Sequence, residues 1–415
     1  MNNAIILPFS VPLMSMCFAP ESYAHTARPV QNGLLAISFA ALSSQDKEMR
    51  QLAGCVQLRY RHHFENSKFF EKPLWQQTYE NIQAGLNDLR NSWMKQKSNS
   101  GTPRVPYIPA LFVAKTFNLT TDPTHLLYKQ LTMYLRLKSS FNFQCIPEFN
   151  VLFYSPEVEH QEFRQFIVEI IKHGIKSSSD LFLLVATNTF KVLMGFYCSN
   201  MSTLDLNLQI LSVFSTCVKI PAATKIMIEH VGILPWLAFI VTTTQFFQFD
   251  VVEGAISIIN NLWYALKANE KEFHNFAYLT FEIHLLVINL LYLLSPRIHS
   301  TYFGKLMNIL NKTSVQNKIQ YIGLSPKQMA HILDCAEYHF GSLVLPLRCL
   351  YDNGGMGCSP HEQYCQELFD QQVDVNTILA LSSLRSYIIK WWPFHFDKQE
   401  QESMVVVNPL DLPEN

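Results

Sequence analysis

Glycine and long apolar runs are both scarce in this sequence. Only 14 of the 415 residues are glycine, which argues against a β-rich chain with many tight turns. The densest apolar run, "LLVINLLYLL" at 285–294, is shorter than the roughly 20 apolar residues that span a bilayer. We therefore expect it to form a helix buried on all sides, and we expect no membrane partner. The apolar N-terminus lacks a basic stretch and is interrupted by prolines, which argues against a signal peptide.

Motifs of common enzyme families are also missing. No G-x-S-x-G, G-x-x-x-x-G-K-[ST] or G-x-G-x-x-G pattern occurs, and the glycines of "DNGGMG" at 352–357 follow no predicted strand. No acid, base and nucleophile converge in one motif. We expect a protein that is not an enzyme, with no catalytic residue, no cofactor and no small-molecule substrate.

The cysteines indicate reduced thiols rather than a disulfide framework. There are nine, an odd number, and several lie in apolar runs, as buried thiols of intracellular proteins do. The best metal candidate combines two segments, with the residues Cys335, His339, Cys358, His361 and Cys365. Because zinc needs four converging ligands and this spacing matches no standard finger, we expect no metal site.

Most of the chain has the apolar period of α-helices, about 3.6 residues. Two segments show it clearly, with apolar stripes expected to face a core. They are "EFRQFIVEIIKHGI", with Phe163, Phe166, Ile167, Ile170 and Ile171, and "VVEGAISIINNLWYALK", with Val252, Ala255, Ile256, Ile259, Leu262, Trp263 and Leu266. Strand-like runs such as "VTTTQFFQF" at 241–249 are short and are interpreted as loops or helix ends. The sequence therefore predicts an all-α fold.

Capping residues and glycines mark helix ends. A capping residue precedes proline at Asp122-Pro123, Ser155-Pro156, Ser325-Pro326 and Ser359-Pro360, a combination that favours helix starts. Gly174, Gly232 and Gly341 are expected to end helices.

Two segments indicate a repeat. "NTFKVLMGFY" at 188–197 and "VGILPWLAFI" at 231–240 place Phe190 and Ile233 at matching positions, 43 residues apart, and a third copy is expected near Phe276. Periods of about 40–47 residues are typical of HEAT and armadillo arrays. We predict an armadillo/HEAT-like helical-repeat solenoid over residues 31–392. A poorly ordered N-terminal segment (1–30) precedes it, and an acidic disordered tail (393–415) follows.

Charge is distributed unevenly along the chain. The net charge is −1, yet residues 50–138 contain 13 Lys and Arg against 5 Asp and Glu, while residues 362–415 contain 3 against 9. This separation indicates two faces with different partners. A chance cluster on a solvated surface is the alternative.

The segment "RYRHHFENSKFFEK" at 59–72 combines cations and aromatic residues. If the helix continues through it, Leu58, His62, Glu65 and Phe69 share one side, Tyr60 and Phe64 pack on the opposite side, and Arg61, Lys68 and Lys72 form a cationic stripe. Such patterns can hold phosphates and stack on unpaired bases, although ordinary helix amphipathicity also explains them. The adjacent His62 and His63 point about 100° apart on a helix, so they are not expected to share a metal.

The candidate nucleic-acid residues are cations of the basic region. They are Arg59, Arg61, Lys68, Lys72, Arg90, Lys95, Lys97 and Arg104. Phosphate binding depends on the summed local charge, which favours an RNA interface here.

Six sequence blocks, in this order and spacing, resemble the C-terminal part of the nucleolar pre-ribosomal-associated protein family. The blocks extend over about Gly33 to Leu237 and are "RYRHHFENSKFFEKPLW", "RVPYIPALFVAKTF", "DPTHLLYKQLTMYL", "IPEFNVLFYSPEVEH", "FRQFIVEIIKHGI" and "TFKVLMGFYCS". Members of this family are several times longer, so we expect a fragment, a truncated gene model or a divergent short form.

The resemblance implies a non-enzymatic scaffold of the nucleus and nucleolus that acts in early assembly of the large (60S) ribosomal subunit and in pre-rRNA maturation. Its implied partners are proteins of the pre-ribosomal particle, including a DEAD-box helicase, and pre-rRNA. The family provides no catalytic motif, so no site residue is transferred. The alternative is a general armadillo-like protein-interaction adaptor without RNA contact, which binds an extended peptide or helix through apolar pockets.

Overall fold

The computed structural model describes residues 3–22, 28, 32–68, 72–95, 104–220, 222–243, 249–294, 298–314, 323–354 and 359–396. Every regular element in these residues is helical, so the predicted all-α class is confirmed. The chain divides into two compact units, residues 1–223 and residues 224–415.

The described part of the first unit contains helices of very different lengths. They are α1 (Asn3–Cys17), α2 (Leu34–Ala41), α3 (Lys47–Glu65), α4 (Lys72–Lys95), α5 (Tyr107–Leu119), α6 (Tyr128–Leu137), α7 (Phe149–Phe153), α8 (His160–Gly174), α9 (Ser178–Ala186), α10 (Thr189–Tyr197) and α11 (Leu204–Val218).

A row of packed helices forms the core of the first unit. Helix α2 packs on α5, α5 packs on α8, and α8 packs on α11. The stripe predicted on α8 is buried throughout, as expected for a helix with neighbours on both sides. Gly174 ends α8 at a close approach, because a Cβ there would lie 2.8 Å from the Cα of Ile108 in α5. A glycine is therefore required where these two helices meet.

Helix α1 lies within residues 1–30, for which the sequence predicts poor order. It packs against α3 and α2, and Val11, Met14 and Phe18 are buried. The Arg59 guanidinium of α3 donates to the carbonyl and hydroxyl of Ser15. These contacts make α1 part of the first unit's core.

The second unit begins at Thr224, within a short helix, α12 (Ala223–Ile226). A π-helical turn (Met227–Val231) follows this helix. The unit's remaining α-helices are α13 (Ile233–Thr243), α14 (Phe249–Ala268), α15 (Phe276–Leu294), α16 (Ser300–Ser314), α17 (Pro326–Phe340), α18 (Leu345–Asp352), α19 (His361–Asp370) and α20 (Val375–Phe396). Helix α16 is central, since it packs against α14, α15 and α20. The stripe predicted on α14 is buried.

A bent helix pair occurs twice along the chain. Helices α9 and α10 meet at 71°, and the segment Ala223–Val231 meets α13 at 72°. In each pair the residue between the helices has a left-handed backbone, with φ of 53° at Asn188 and 76° at Gly232. Helix α11 follows the first pair and α14 the second, and their first residues, Leu204 and Phe249, are 45 positions apart.

Several predicted helix ends are confirmed. Ser325 caps α17 through a capping box with Gln328, with proline in the first turn. Gly232 and Gly341 end helices with positive φ. Ser155 and Asp122 instead accept hydrogen bonds from Glu157 N and Thr124 N, and the next helices begin several residues later. At these two Pro sites the side chain closes a turn rather than starting a helix.

Helix α15 contains the densest apolar run, and its predicted burial is only partly correct. Asn289 and Tyr292 are exposed, while Val287, Leu290 and Leu291 are buried. In the described residues no single helix is long and apolar enough to cross a membrane, whereas the two bent pairs meet that test by length and composition.

Candidate functional site

Helix α3 carries the first predicted cations, and its sequence sets both of its ends. The side chain of Asp46 accepts from Glu48 N at 3.0 Å and caps the first turn. At the other end, the side chains of Asn66 and Ser67 donate to the carbonyls of His62 and Phe64. These bonds satisfy backbone acceptors that the helix leaves open, and α3 ends at Glu65. The predicted helical register therefore fails by Lys68, which lies beyond the end of α3.

The aromatic residues of this segment that the structure describes serve packing. Tyr60 and Phe64 are buried, as predicted. Their rings form a cluster with Phe18 and Tyr79, with centroids 5.4–6.1 Å apart. The two rings are thus covered by the core, and base stacking on this helix would have to use other groups. Phe69 and Phe70 lie outside the described residues.

Arg59 and Arg61 point to different neighbours of α3. Arg59 reaches α1, with Nη1 2.9 Å from Ser15 Oγ. Arg61 reaches α4, with Nη1 2.6 Å from Gln83 Oε1, and its Nε donates to Glu65 at 2.8 Å. The two guanidinium groups therefore do not form one surface.

Other candidate cations are spread over the first unit. Lys72 donates to the carbonyls of Glu65 and Ser67, which closes the connection between α3 and α4. Lys68 and Arg90 are exposed, and no hydrogen bond or ion pair engages either of them within the described residues. Lys95 is the last residue of α4, and Lys97 lies outside the described residues.

Arg104 belongs to a polar network that sequence reasoning missed. Its Nη2 donates to the hydroxyls of Ser177 and Ser179, both at 2.7 Å. Beside it, the buried carboxylate of Asp180 accepts from Tyr107 N at 2.8 Å and Ser177 N at 3.0 Å. This network joins the start of α5 to the start of α9. The signal for it was the capping motif "SSSD" at 177–180.

The histidines of α3 have different environments. His62 is exposed, while the Nε2 atom of the half-buried His63 lies 3.0 Å from the carbonyl oxygen of Ala19 after α1. Their ring centroids are 6.0 Å apart and the rings are strongly inclined. His63 thus secures the end of α1, and the pair does not converge on one point.

The candidate metal ligands do not form a described cluster. The Sγ atom of Cys335 lies 3.7 Å from Nε2 of His331, and the Sγ atom of Cys365 lies 3.8 Å from Nε2 of His361. Both contacts join residues of the same helix. His339 packs against the ring of Phe303. No group of three or more potential ligands occurs among the described residues, and Cys358 lies outside them.

Comparison with known proteins finds a family that the basic region resembles. Residues 35–236 match the model of the family described as Nucleolar pre-ribosomal-associated protein 1. Over these residues the chain is similar to that family. The match agrees with the resemblance found in the sequence over about Gly33 to Leu237, and it contains all eight candidate cations.

Two curated members of the Nucleolar pre-ribosomal-associated protein 1 family are similar to the chain. The protein of that name from Mus musculus is 23% identical over 255 residues, and the one from Homo sapiens is 22% identical over 255 residues. In both cases the alignment covers 61% of this chain and 11% of the relative. No solved structure matches the chain.

Proposed function

We propose that this protein is a non-enzymatic scaffold in nucleolar assembly of the large (60S) ribosomal subunit and in pre-rRNA maturation. The observation that carries the proposal is the family match over residues 35–236, together with the name that both curated relatives bear. In this proposal the protein works in the nucleolus and binds proteins of the pre-ribosomal particle.

The scaffold has the architecture of an armadillo/HEAT-like solenoid. Two observations support it: the row of packed helices α2, α5, α8 and α11, and the bent helix pairs that recur with a third helix after each. The spacing of 45 residues between Leu204 and Phe249 lies within the period of about 40–47 residues of such repeats. Solenoids present extended surfaces for long partners.

Pre-rRNA contact, in this proposal, uses the cations that the fold leaves available. Lys68 and Arg90 are exposed, and the region 50–138 has a net charge of +8. Summed positive charge attracts the RNA backbone without reading its sequence.

Co-sedimentation tests the assembly role. The chain, tagged and expressed in cells, is followed through a sucrose gradient beside markers of early large-subunit precursors. We expect it to travel with these precursors, and to leave that fraction when transcription of pre-rRNA is inhibited. A chain found only in the light fractions under both conditions would contradict the proposal.

An adaptor without RNA contact remains the second candidate, because of one observation. The side chains of Arg59, Arg61, Lys72 and Arg104 already bind groups within the first unit, which lowers the charge free to meet phosphates. Crosslinking to RNA in living cells separates the two candidates. Recovery of RNA with the chain supports the first, and its absence from chains that co-sediment with the particle supports the second.

A further inference from the structure

An apolar groove runs between α3 and α4. Its two walls have the same helical spacing, with residues at positions i, i+3, i+4 and i+7 on each helix. Gly54, Gln57, Leu58 and Arg61 form the α3 wall, Tyr79, Ile82, Gln83 and Leu86 form the α4 wall, and Phe39 and Leu42 close one side. The step from i to i+7 along a helix is about 10 Å, so the groove is as long as two helical turns.

The groove is small and almost entirely apolar. Its volume is about 250 Å³, which lies below the range of about 300–1,000 Å³ for sites that enclose small molecules and cofactors. Such a volume suits two or three side chains that a partner inserts. Arg61 is the only charged residue of the lining.

Two polar atoms in the groove lining are buried without a partner. The Gln57 amide nitrogen donates to Ser38 Oγ at 2.5 Å, but its carbonyl oxygen and the Tyr79 hydroxyl have no hydrogen-bond partner in the described structure. Tyr79 is only 7% exposed, and burial raises its pKa well above the usual value, so its hydroxyl remains a donor. Buried polar groups are normally paired, so these two covered atoms leave the lining incompletely satisfied in the described structure.

The α3 wall has unfilled space at Gly54, a position where most helices would carry a side chain. A Cβ added at Gly54 would meet nothing within 4 Å, although glycine is unfavourable inside a helix. One turn later, Leu58 exposes 67% of its surface on the same face. An inserted side chain would therefore cover Leu58 and fill the space above Gly54.

We propose that this groove binds one amphipathic helix of a partner protein, with apolar residues on the bound face and acidic residues beside them. Helix-in-groove binding uses anchors at i, i+3, i+4 and i+7, the spacing that both walls present. The acidic flanks follow from charge complementarity with Arg61 in the lining and with the net charge of +8 that residues 50–138 carry. The exposed i,i+4 pair of Arg61 with Glu65 is weak and can be exchanged for a partner carboxylate. This inference rests on the scaffold role and identifies one class of its partners.

A selection experiment tests the groove directly. A displayed library of random 16-residue peptides is selected on the full chain and counter-selected on the variant Gly54→Phe, whose ring fills the groove. We expect enriched peptides with the helical apolar spacing and Asp or Glu at the flanks. In fluorescence anisotropy, a synthetic enriched peptide should lose about tenfold or more in affinity for the variant, as for a blocked anchor site.

Matched variants separate groove binding from folding. Gly195 of α10 is also helical with open space around it, so Gly195→Phe should bind the peptide as the parent chain does. Because Leu58 is exposed, Leu58→Glu should fold normally and still weaken an acidic peptide, while Arg61→Gln should weaken it less. Circular dichroism and thermal unfolding check the fold of each variant.

The inference would be overturned if no peptide is enriched, or if the peptide binds Gly54→Phe as well as the parent chain. It would also be overturned if a single-stranded RNA oligonucleotide displaces the peptide and Leu58→Glu does not change peptide affinity. None of these outcomes changes the gradient experiment. A failed groove and a failed assembly role are therefore distinguishable.

Discussion

Gly85 shows how one residue determines a contact that sequence patterns cannot reveal. It lies in α4, where a Cβ would be 2.1 Å from the carbonyl oxygen of Phe141. Asp180 and Tyr107 are a similar case, because their hydrogen bond joins residues 73 positions apart. The local capping motif at Ser177 was visible in the sequence, but the partner on α5 depends on the packing of distant helices. Single-residue contacts of this kind require the three-dimensional structure.

We expect Gly85→Ala to destabilise the first unit by about 1–3 kcal/mol, the usual cost of forcing a methyl group into a packed contact. The clash is with a backbone atom, so a side-chain rotation cannot relieve it. Gly54→Ala on the neighbouring helix is the control, since it has open space and should gain up to about 1 kcal/mol from helix propensity. Urea denaturation followed by circular dichroism compares the two midpoints. Equal midpoints would contradict the close contact between Gly85 and the Phe141 carbonyl.

At the scale of helices, the apolar period predicted the core-facing side of each helix well. It did not predict where α3 ends or which surface α3 forms with α4. The stripes on α8 and α14 are buried as expected, because a single period identifies the core face of one helix. The register of α3 failed beyond Glu65, where the side chains of Asn66 and Ser67 end the helix. The groove was missed for a different reason. Gly54 and Leu58 lie on the otherwise polar face of α3, and only the adjacent stripe of α4 makes them a binding wall.

Replacing glycine by alanine is expected to change stability in opposite directions at a bend between helices and inside a helix. Gly232 has a φ of 76° and no atom within 4 Å of a built Cβ, so Gly232→Ala tests backbone strain without a clash. A left-handed alanine costs about 1–2 kcal/mol, and we expect that loss of stability. Gly195→Ala lies inside α10 and should instead gain about 1 kcal/mol or less. Differential scanning calorimetry measures both shifts, and a gain for Gly232→Ala would mean that this bend does not need a left-handed residue.

For the whole molecule, the apolar period predicted the all-α class, and the ordered blocks predicted the family resemblance that the match over residues 35–236 bears out. The division into two units was not predicted, because no composition shift occurs near residue 223. The charge distribution was visible in the sequence, yet the cations proved unequal. Arg59 and Arg104 hold helices together, whereas Lys68 and Arg90 are exposed. A net charge counts all four alike, while binding to RNA depends on the cations that are not already held by groups within the protein.

This difference predicts the salt dependence of RNA binding. The affinity for a single-stranded RNA is expected to fall with salt, with a log–log slope of about −0.7 for each phosphate neutralised. Replacing Lys68 and Arg90 by Gln should make the slope shallower by about 0.7 per residue. Arg59→Gln should leave it unchanged, because that guanidinium binds Ser15. Anisotropy titrations of a labelled RNA oligonucleotide at four or more salt concentrations measure the three slopes. If the double variant keeps the parent slope, or if Arg59→Gln changes the slope as strongly, RNA is held by other residues or only by the summed field of the basic region.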